Sequence, residues 1–269
     1  MNPLLREHAP ITEEAWKEIE DEIKGALDVN LGARRVVDVD GPLGWDHGAR
    51  ATGRTEKLAP GTLGSVDVRR RSVLPLIELE TRFDVGREEL ESLGRGAKDV
   101  DLSAAVEAAE RIARAEDRAI FHGYREGGIG GIVERSEHAG LPISEDYTNY
   151  PSTVVAAIEK LRSSGIGGPF AIVLGPRCYT GLLTASDPSG YPALMRLERI
   201  VDGPIVRAPA LDGAVVISQR GGDFELTIGQ DLALGYASHT ADSVRFRLIE
   251  SFAFRALTPD AAVPLVYSS

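Results

Sequence analysis

Between residues 221 and 239 the chain reads GGDFELTIGQDLALGYASH, where three acids, a histidine and closely spaced glycines stand together. Such residues build phosphate loops, metal clusters and acid–base pairs, and each chemistry demands its own spacing. A phosphate loop needs G-x-G-x-x-G, or a glycine run closed by Lys-Ser/Thr; the other glycine-rich segment, GGIGGI at 127–132, has neither. A metal site needs converging ligands, whereas His8, His47, His122, His138 and His239 are scattered, with no pair at helical or hairpin ligand spacing. No G-x-S-x-G elbow is present, and the single cysteine, Cys178 in GPRCYTG, has no histidine near it in sequence. A buried structural thiol is the expectation there. Asp223 and Asp231 flank the strand-like FELTIG, as turn residues do, and Gly221-Gly222-Asp223 is a good turn opener. The stretch therefore reads as two strands joined by a turn. With no nucleophile–base pair and no metal constellation, the expectation is a protein that is not an enzyme and has no catalytic or metal residues.

Composition narrows the class. The chain has 269 residues, 43% hydrophobic and 26% charged, enough for one large domain or two small ones with ample core. The opening MNPLLREHAP has no basic-then-apolar signal region, and no apolar run approaches the roughly 18 residues that span a bilayer. A cytoplasmic protein with no membrane partner is expected. A net charge of −11 repels phosphate backbones, which argues against nucleic acid as a partner. The basic run Arg69-Arg70-Arg71 lies in a strand-like segment, so its side chains point to both faces and make no single patch. A solvated strand, or ion pairs with a neighbouring subunit, accounts for it better than nucleic acid does.

The elements that hold these residues follow from pattern. Residues 11–27, ITEEAWKEIEDEIKGAL, predict an amphipathic helix capped by Thr12, with Glu13 and Glu14 at its positive end. Its apolar stripe is Trp16, Ile19, Ile23 and Leu27. A short strand ending in a Gly-Pro turn follows in ARRVVDVDGPLGW. From Ala49 to Leu79 the chain alternates apolar with charged residues around Pro60 and Gly61, a two-stranded excursion that buries little of itself. A neighbouring subunit is the economical cover. The strongest helix signal is 102–122, capped by Asp101 or Ser103, stopped by Gly123 and braced by Glu107–Arg111 and Glu110–Arg114. At 1.5 Å per residue this spine is roughly 30 Å long. A helix at 151–165, a buried strand at 169–175 and a broken helical pattern at 176–200 come next. The tail alternates strands; in the last, Val244, Phe246 and Leu248 share a parity while Ile249 and Phe252 are read as falling elsewhere, implying a bulge or two-sided burial. The order is α+β with an α/β insert, not an alternating βαβ chain.

Seven stretches together resemble the encapsulins, shell proteins of bacteria and archaea related to linocin-type proteins and to tailed-phage capsid proteins. They are LLREHAPITEEAWKEIE, RRVVDVDGPLGW, ESLGRGAKDVDL, AEDRAIFHGYREGGIGGI, GPFAIVLGPRCY, GYPALMRLERIVDGPIVRAPALDGAVV and RGGDFELTIGQDLALGYASH, in order over essentially the whole chain. The non-membrane type 1 encapsulins are the most similar kind. The resemblance implies an HK97 phage-capsid-like fold: N-terminal helix and start of the peripheral domain at 1–47, extended loop at 48–77, spine-helix part of the peripheral domain at 78–133, axial domain at 134–219, and C-terminal peripheral strands at 220–269. It implies self-assembly into an icosahedral shell, of 60 subunits in the smallest members. The shell would enclose a dye-decolourising peroxidase or a ferritin-like protein, hence roles in oxidative stress or iron storage. Cargo would dock through a C-terminal targeting peptide in a luminal groove, the matching positions being Arg34, Asp38, Val39, Asp231, Leu232, Leu234 and Tyr236. A five-fold pore loop would be Asp187, Pro188, Ser189, Gly190 and Tyr191, and Asp187 would favour cations. Some relatives stack a flavin on a tryptophan where this chain has Glu88, and a carboxylate cannot replace a stacking ring, so no cofactor is expected. The alternative is a prophage major capsid protein that packages DNA, against which the acidic balance and the N-terminal helix argue.

Overall fold

The computed structural model describes residues 3–186 and 190–267. Helix α1 (Glu13–Asn30) begins where Thr12 Oγ1 accepts the Ala15 N–H at 3.2 Å, and it buries Ala15, Trp16, Ile19 and Ile23. It runs past Leu27 because the Asn30 side chain donates to the Ala26 carbonyl at 2.8 Å, holding a last turn that apolar periodicity does not mark. Strand β1 (Asp38–Asp40) is followed by β2 (Ala49–Leu58), β3 (Val68–Pro75) and β4 (Ile77–Gly86), then α2 (Arg87–Gly94) and the spine α3 (Ser103–His122). Asp101 Oδ1 accepts the Ser103 N–H at 2.9 Å, and Gly123 ends the spine at φ 89°. The pairs Glu110–Arg114 (3.1 Å) and Glu107–Arg111 (3.8 Å) form on its exposed side.

The remaining elements are α4 (Ile132–Arg135), β5 (Leu141–Ile143), α5 (Tyr150–Ser163), β6 (Phe170–Leu174), α6 (Pro176–Thr184), α7 (Ala193–Ile200), β7 (Ile205–Arg207), β8 (Ala214–Ser218), β9 (Phe224–Ile228), β10 (Ala233–His239), β11 (Ser243–Ala256) and β12 (Ala262–Tyr267). One sheet runs β1-β9-β11-β10, with β4 also on β11. A second runs β5-β12-β8-β6-β7. Residues 220–269 therefore do not all serve the first sheet: β12 lies in the second, antiparallel to β8 and parallel to β5. Its run AVPL is buried without alternation, and only a sheet interior covered on both faces accepts such a strand.

Two apolar cores result. One gathers α1, α2, the first part of α3 and Val244, Phe246 and Leu248 of β11. The other gathers the end of α3, the second sheet and its helices, β9, and Phe252 and Phe254 of β11. Strand β11 pairs with β4 from Ser243 to Phe252 without a break, and the bulge lies in β10 instead, between Tyr236 and Ser238. Phe252 shares the parity of Val244, Phe246 and Leu248, so one face of β11 passes from the first core to the second; Ile249 is buried on the other face. Cys178 is fully buried, with the Tyr150 hydroxyl 2.6 Å from its sulfur.

Strands β2 and β3 pair only with each other. Arg70–Glu56 (2.6 Å) and Lys57–Asp67 (3.4 Å) decorate this ribbon in solvent, while Leu63, Val66 and Val73 are 64%, 55% and 49% exposed. A ribbon that buries so little adds almost nothing to its own subunit. Replacing 55–70 by a short Gly-Ser turn is therefore expected to leave helix content and the subunit's unfolding midpoint unchanged. On a sizing column the same variant should run as species far smaller than wild type.

Candidate functional site

Where the two cores meet, polar groups converge. Gly32 and Ala33, just after α1, donate their N–H groups to the two carboxylate oxygens of buried Asp117, each at 2.9 Å. A side chain at 32 would be pressed to 2.7 Å from the Ala208 Cβ, so only glycine lets the chain pass here. The next residue, Arg34, turns its guanidinium inward. Nε donates to both oxygens of Glu116 at 2.8 and 3.0 Å, Nη2 donates to Glu250 at 2.9 Å, and Nη1 donates to Asp231 at 2.7 Å. The Glu116 and Glu250 side chains are fully buried. Burial pulls the guanidinium pKa down, but the hydrogen bond and charge of Glu116, with Glu250 and Asp231 behind them, raise it further, so Arg34 stays a cation. Burial, then the charge of Glu116, pushes the Glu250 carboxyl well above its ordinary range. Burial pushes the Asp117 carboxyl up to about 7, against the pull of the Ala33 and Gly32 N–H groups.

Directly beside this knot an apolar groove of about 420 Å³ opens between the C-terminal half of α1 and the start of β10. Leu27, Leu31 and Leu232 form its half-exposed wall, and buried Ile23, Leu234 and Leu248 its floor. Glu20, Lys24, Asp28, Arg34 and Asp231 rim it, and Leu4 and Arg6 close one end. The carboxylate of Asp231 is held at the lip by Arg34 and by the Leu232 N–H at 2.8 Å. The arrangement could accept an extended apolar chain: it is apolar, open along one side, with fixed charge at its edge.

Of the predicted docking residues, the structure brings Arg34, Asp231, Leu232 and Leu234 to this groove. Asp38, Val39 and Tyr236 do not line it. Asp38 accepts the Gly222 N–H at 2.6 Å and shares β1 with Val39, paired in parallel to β9 across Glu225, Leu226 and Thr227. Tyr236 lies farther along β10 with its hydroxyl 2.6 Å from His239 Nδ1. Sequence reasoning missed Leu31, Leu248 and the inner members of the knot. Ile23 and Leu27 were visible as the end of the α1 stripe, where the stripe outlasts its cover. Of the residues expected to form a pore loop, Asp187, Pro188 and Ser189 lie outside the described residues; Gly190 has φ 84°, and Tyr191 packs under the Arg199 guanidinium at 5.5 Å. Glu88 is exposed on the first turn of α2. Among the described residues no three His, Cys, Asp or Glu side chains are grouped to hold a metal ion, and no helix is long and apolar enough to cross a membrane.

The two sheets with a spine helix and a projecting ribbon form the HK97-like capsid fold. The virus-like particle of Pyrococcus furiosus shares it at a TM-score of 0.64 and 19% identity, over 93% of this chain and 99% of that one. The capsid of an empty GTA particle shares it at 0.54 and 14% identity, over 89% and 97%. Likeness at such identity fixes the architecture alone. Sequence goes further: the family described as "Encapsulating protein for peroxidase" matches residues 1–253. The type 1 encapsulin shell protein of Rhodospirillum rubrum is 51% identical over 98% of this chain and 96% of its own length. The chain belongs to the encapsulin shell-protein family, whose curated relatives carry the name of shell proteins and not of enzymes.

Two tests follow from the knot. Arg34→Met removes the one cation among buried carboxyls and is expected to cost about 3–5 kcal/mol in guanidinium unfolding. Glu250→Gln, which keeps an acceptor for Arg34, is expected to cost about 1 kcal/mol or less. Asp117 also sets a pH dependence. Its folded pKa lies above the ordinary 3.8, so its contribution is full below that value and is lost as the pH rises through about 7. Hydrogen exchange in a fragment covering 28–36, corrected for intrinsic rate, should show stronger protection at pH 5.5 than at pH 8. Asp117→Asn should flatten that difference.

Proposed function

We propose that this shell protein closes an icosahedral compartment of 60 subunits in the cytoplasm and takes up its cargo in the groove between α1 and β10. The cargo is a dye-decolourising peroxidase or a ferritin-like protein bearing a short C-terminal peptide of apolar residues among glycines. Peroxide or iron chemistry then belongs to the cargo, and the shell supplies enclosure. One observation carries the reading: Leu27, Leu31 and Leu232 stay half-exposed beside a closed core, with ordered charge only at the rim. A soluble surface tolerates single apolar residues, but a grooved cluster over a core floor marks a ligand. Glycines in the peptide let its backbone lie close to α1, and its apolar side chains replace water over the leucine wall. Asp231 and Arg34 offer an acceptor and a donor for the peptide backbone at the lip.

Leu232→Asp tests the reading, because the side chain is only half-buried and lies outside the strand pairing. Each buried leucine contributes about 1.5–3 kcal/mol. Shells of unchanged size should therefore capture a fluorescent protein with a glycine–leucine tail at least about tenfold more weakly. Equal capture by wild-type and variant shells would remove the groove from the reading.

A further inference from the structure

One end of the groove is closed by the chain itself. The Leu4 carbonyl accepts the Tyr236 N–H at 2.8 Å, on the outer edge of β10, whose other edge is paired with β11. The Arg247 guanidinium donates to the Pro3 carbonyl, and Leu4 lines the cavity. β10 makes room for this: a Cβ on Gly235 would stand 2.9 Å from the Leu4 oxygen and 3.2 Å from its Cα. The following residues are anchored separately, with Arg6 paired to Glu20 and its guanidinium 4.3 Å from the centre of the Trp16 ring. Between the two attachments Leu5 sits at φ 50°, ψ 26°, the sole non-glycine residue at positive φ among the described residues. An L side chain disfavours that conformation.

We infer that Pro3–Leu5 is a resident ligand of the cargo groove, which an incoming targeting peptide must displace. The segment binds as an extended peptide binds a sheet edge, by a main-chain hydrogen bond with an apolar side chain turned into a pocket. Its hold on the groove includes a sheet-edge hydrogen bond, a guanidinium contact and the leucine side chain. Strain at Leu5 lowers what its release costs, and Arg6 keeps the segment nearby so that it returns when the site empties. A self-ligand of this kind divides the apparent affinity of a competitor by the fraction of time the site is free. Weak tails are thereby refused while a tail that fills the whole groove is kept. That the competitor is cargo rests on the docking reading above; that the groove is self-occupied does not.

The experiment uses assembled shells and a labelled dodecapeptide of glycine, serine and leucine as probe. Deleting residues 1–5 is expected to tighten probe binding about tenfold, or ~1.4 kcal/mol. A synthetic peptide of residues 2–9 should bind the truncated shell and compete with the probe there, and should bind wild type far less. In wild-type shells, saturating probe should speed hydrogen exchange of residues 3–9, and Gly235→Ala should speed it without probe. Equal probe affinity in the two shells, or unchanged exchange of 3–9 at saturation, overturns the self-ligand while leaving docking intact. If the probe binds neither shell yet the 2–9 peptide binds the truncated one, the docking reading falls and the self-ligand stands.

Discussion

A single, mostly buried guanidinium, Arg34, ties together the three chain segments that pass from one core to the other. α1 belongs to the first core and Ala33 and Val36 to the second; Arg34 is at the crossing. α3 fills the first core with Ala105, Ala108, Ala109 and Ile112 and the second with Ile120 and Phe121; Glu116 and Asp117 are at its crossing. β11 contributes Val244, Phe246 and Leu248 to one and Phe252 and Phe254 to the other; Glu250, on the same face, is at its crossing. Apolar surfaces can slide past one another at little cost, whereas a buried guanidinium with three carboxylate partners has one good geometry. A shift of β11 by one residue would turn Glu250 to the opposite face, strip Arg34 of a partner and expose the phenylalanines. The knot thus selects the register in which both cores close.

The same interaction shapes the functional surface. Asp231 is the knot's only half-exposed acid, and it is also the lip of the groove. Its backbone leads straight into Leu232 and β10, so the wall of the groove is fixed by the bond that fixes the fold. The ribbon of β2 and β3 sits under the opposite condition. Among the described residues nothing covers its apolar tips, which suits a structure completed by neighbours. The wall of the groove is held from the start, whereas the ribbon keeps its freedom until a neighbour arrives.

Much of this was legible in the sequence, with a physical reason for each success and failure. Periodicity located α1 and α3 because both bury a single stripe, and lack of alternation in FAIVL marked a strand covered on both faces. Strand β12 was not read as an element of its own and was only included in the peripheral range 220–269, because a buried run such as AVPL names its environment, not its partner. The knot was within reach too. Glu116 falls four residues after Ile112 and four before Ile120, on the buried stripe of the spine, and Glu250 stands in the apolar parity of β11. A carboxylate in such a position must meet a cation, and Arg34 was singled out for docking alone. Asp38 and Val39 lie away from this groove because closeness in sequence to Arg34 does not survive the turn of the chain into β1, which carries them along β9.

Assembly imposes a last condition that the subunit meets by division of labour. A shell protein must be stable enough to fold alone yet incomplete enough to gain from neighbours. Heterologous contacts that close leave no edge on which further copies can grow. Here the ribbon pairs with no strand of either core sheet among the described residues, while the groove opens beside the junction of the cores with Asp231 at its lip. The ribbon can change partner without disturbing Arg34, and the groove meets Arg34 only at its rim. The high net negative charge, −11 on this chain, works in the same direction, since it opposes unspecific contact between subunits and leaves association to surfaces that fit. Stability is therefore concentrated where three crossing segments share one cation, and the capacity to bind is kept at the edges that this cation holds still.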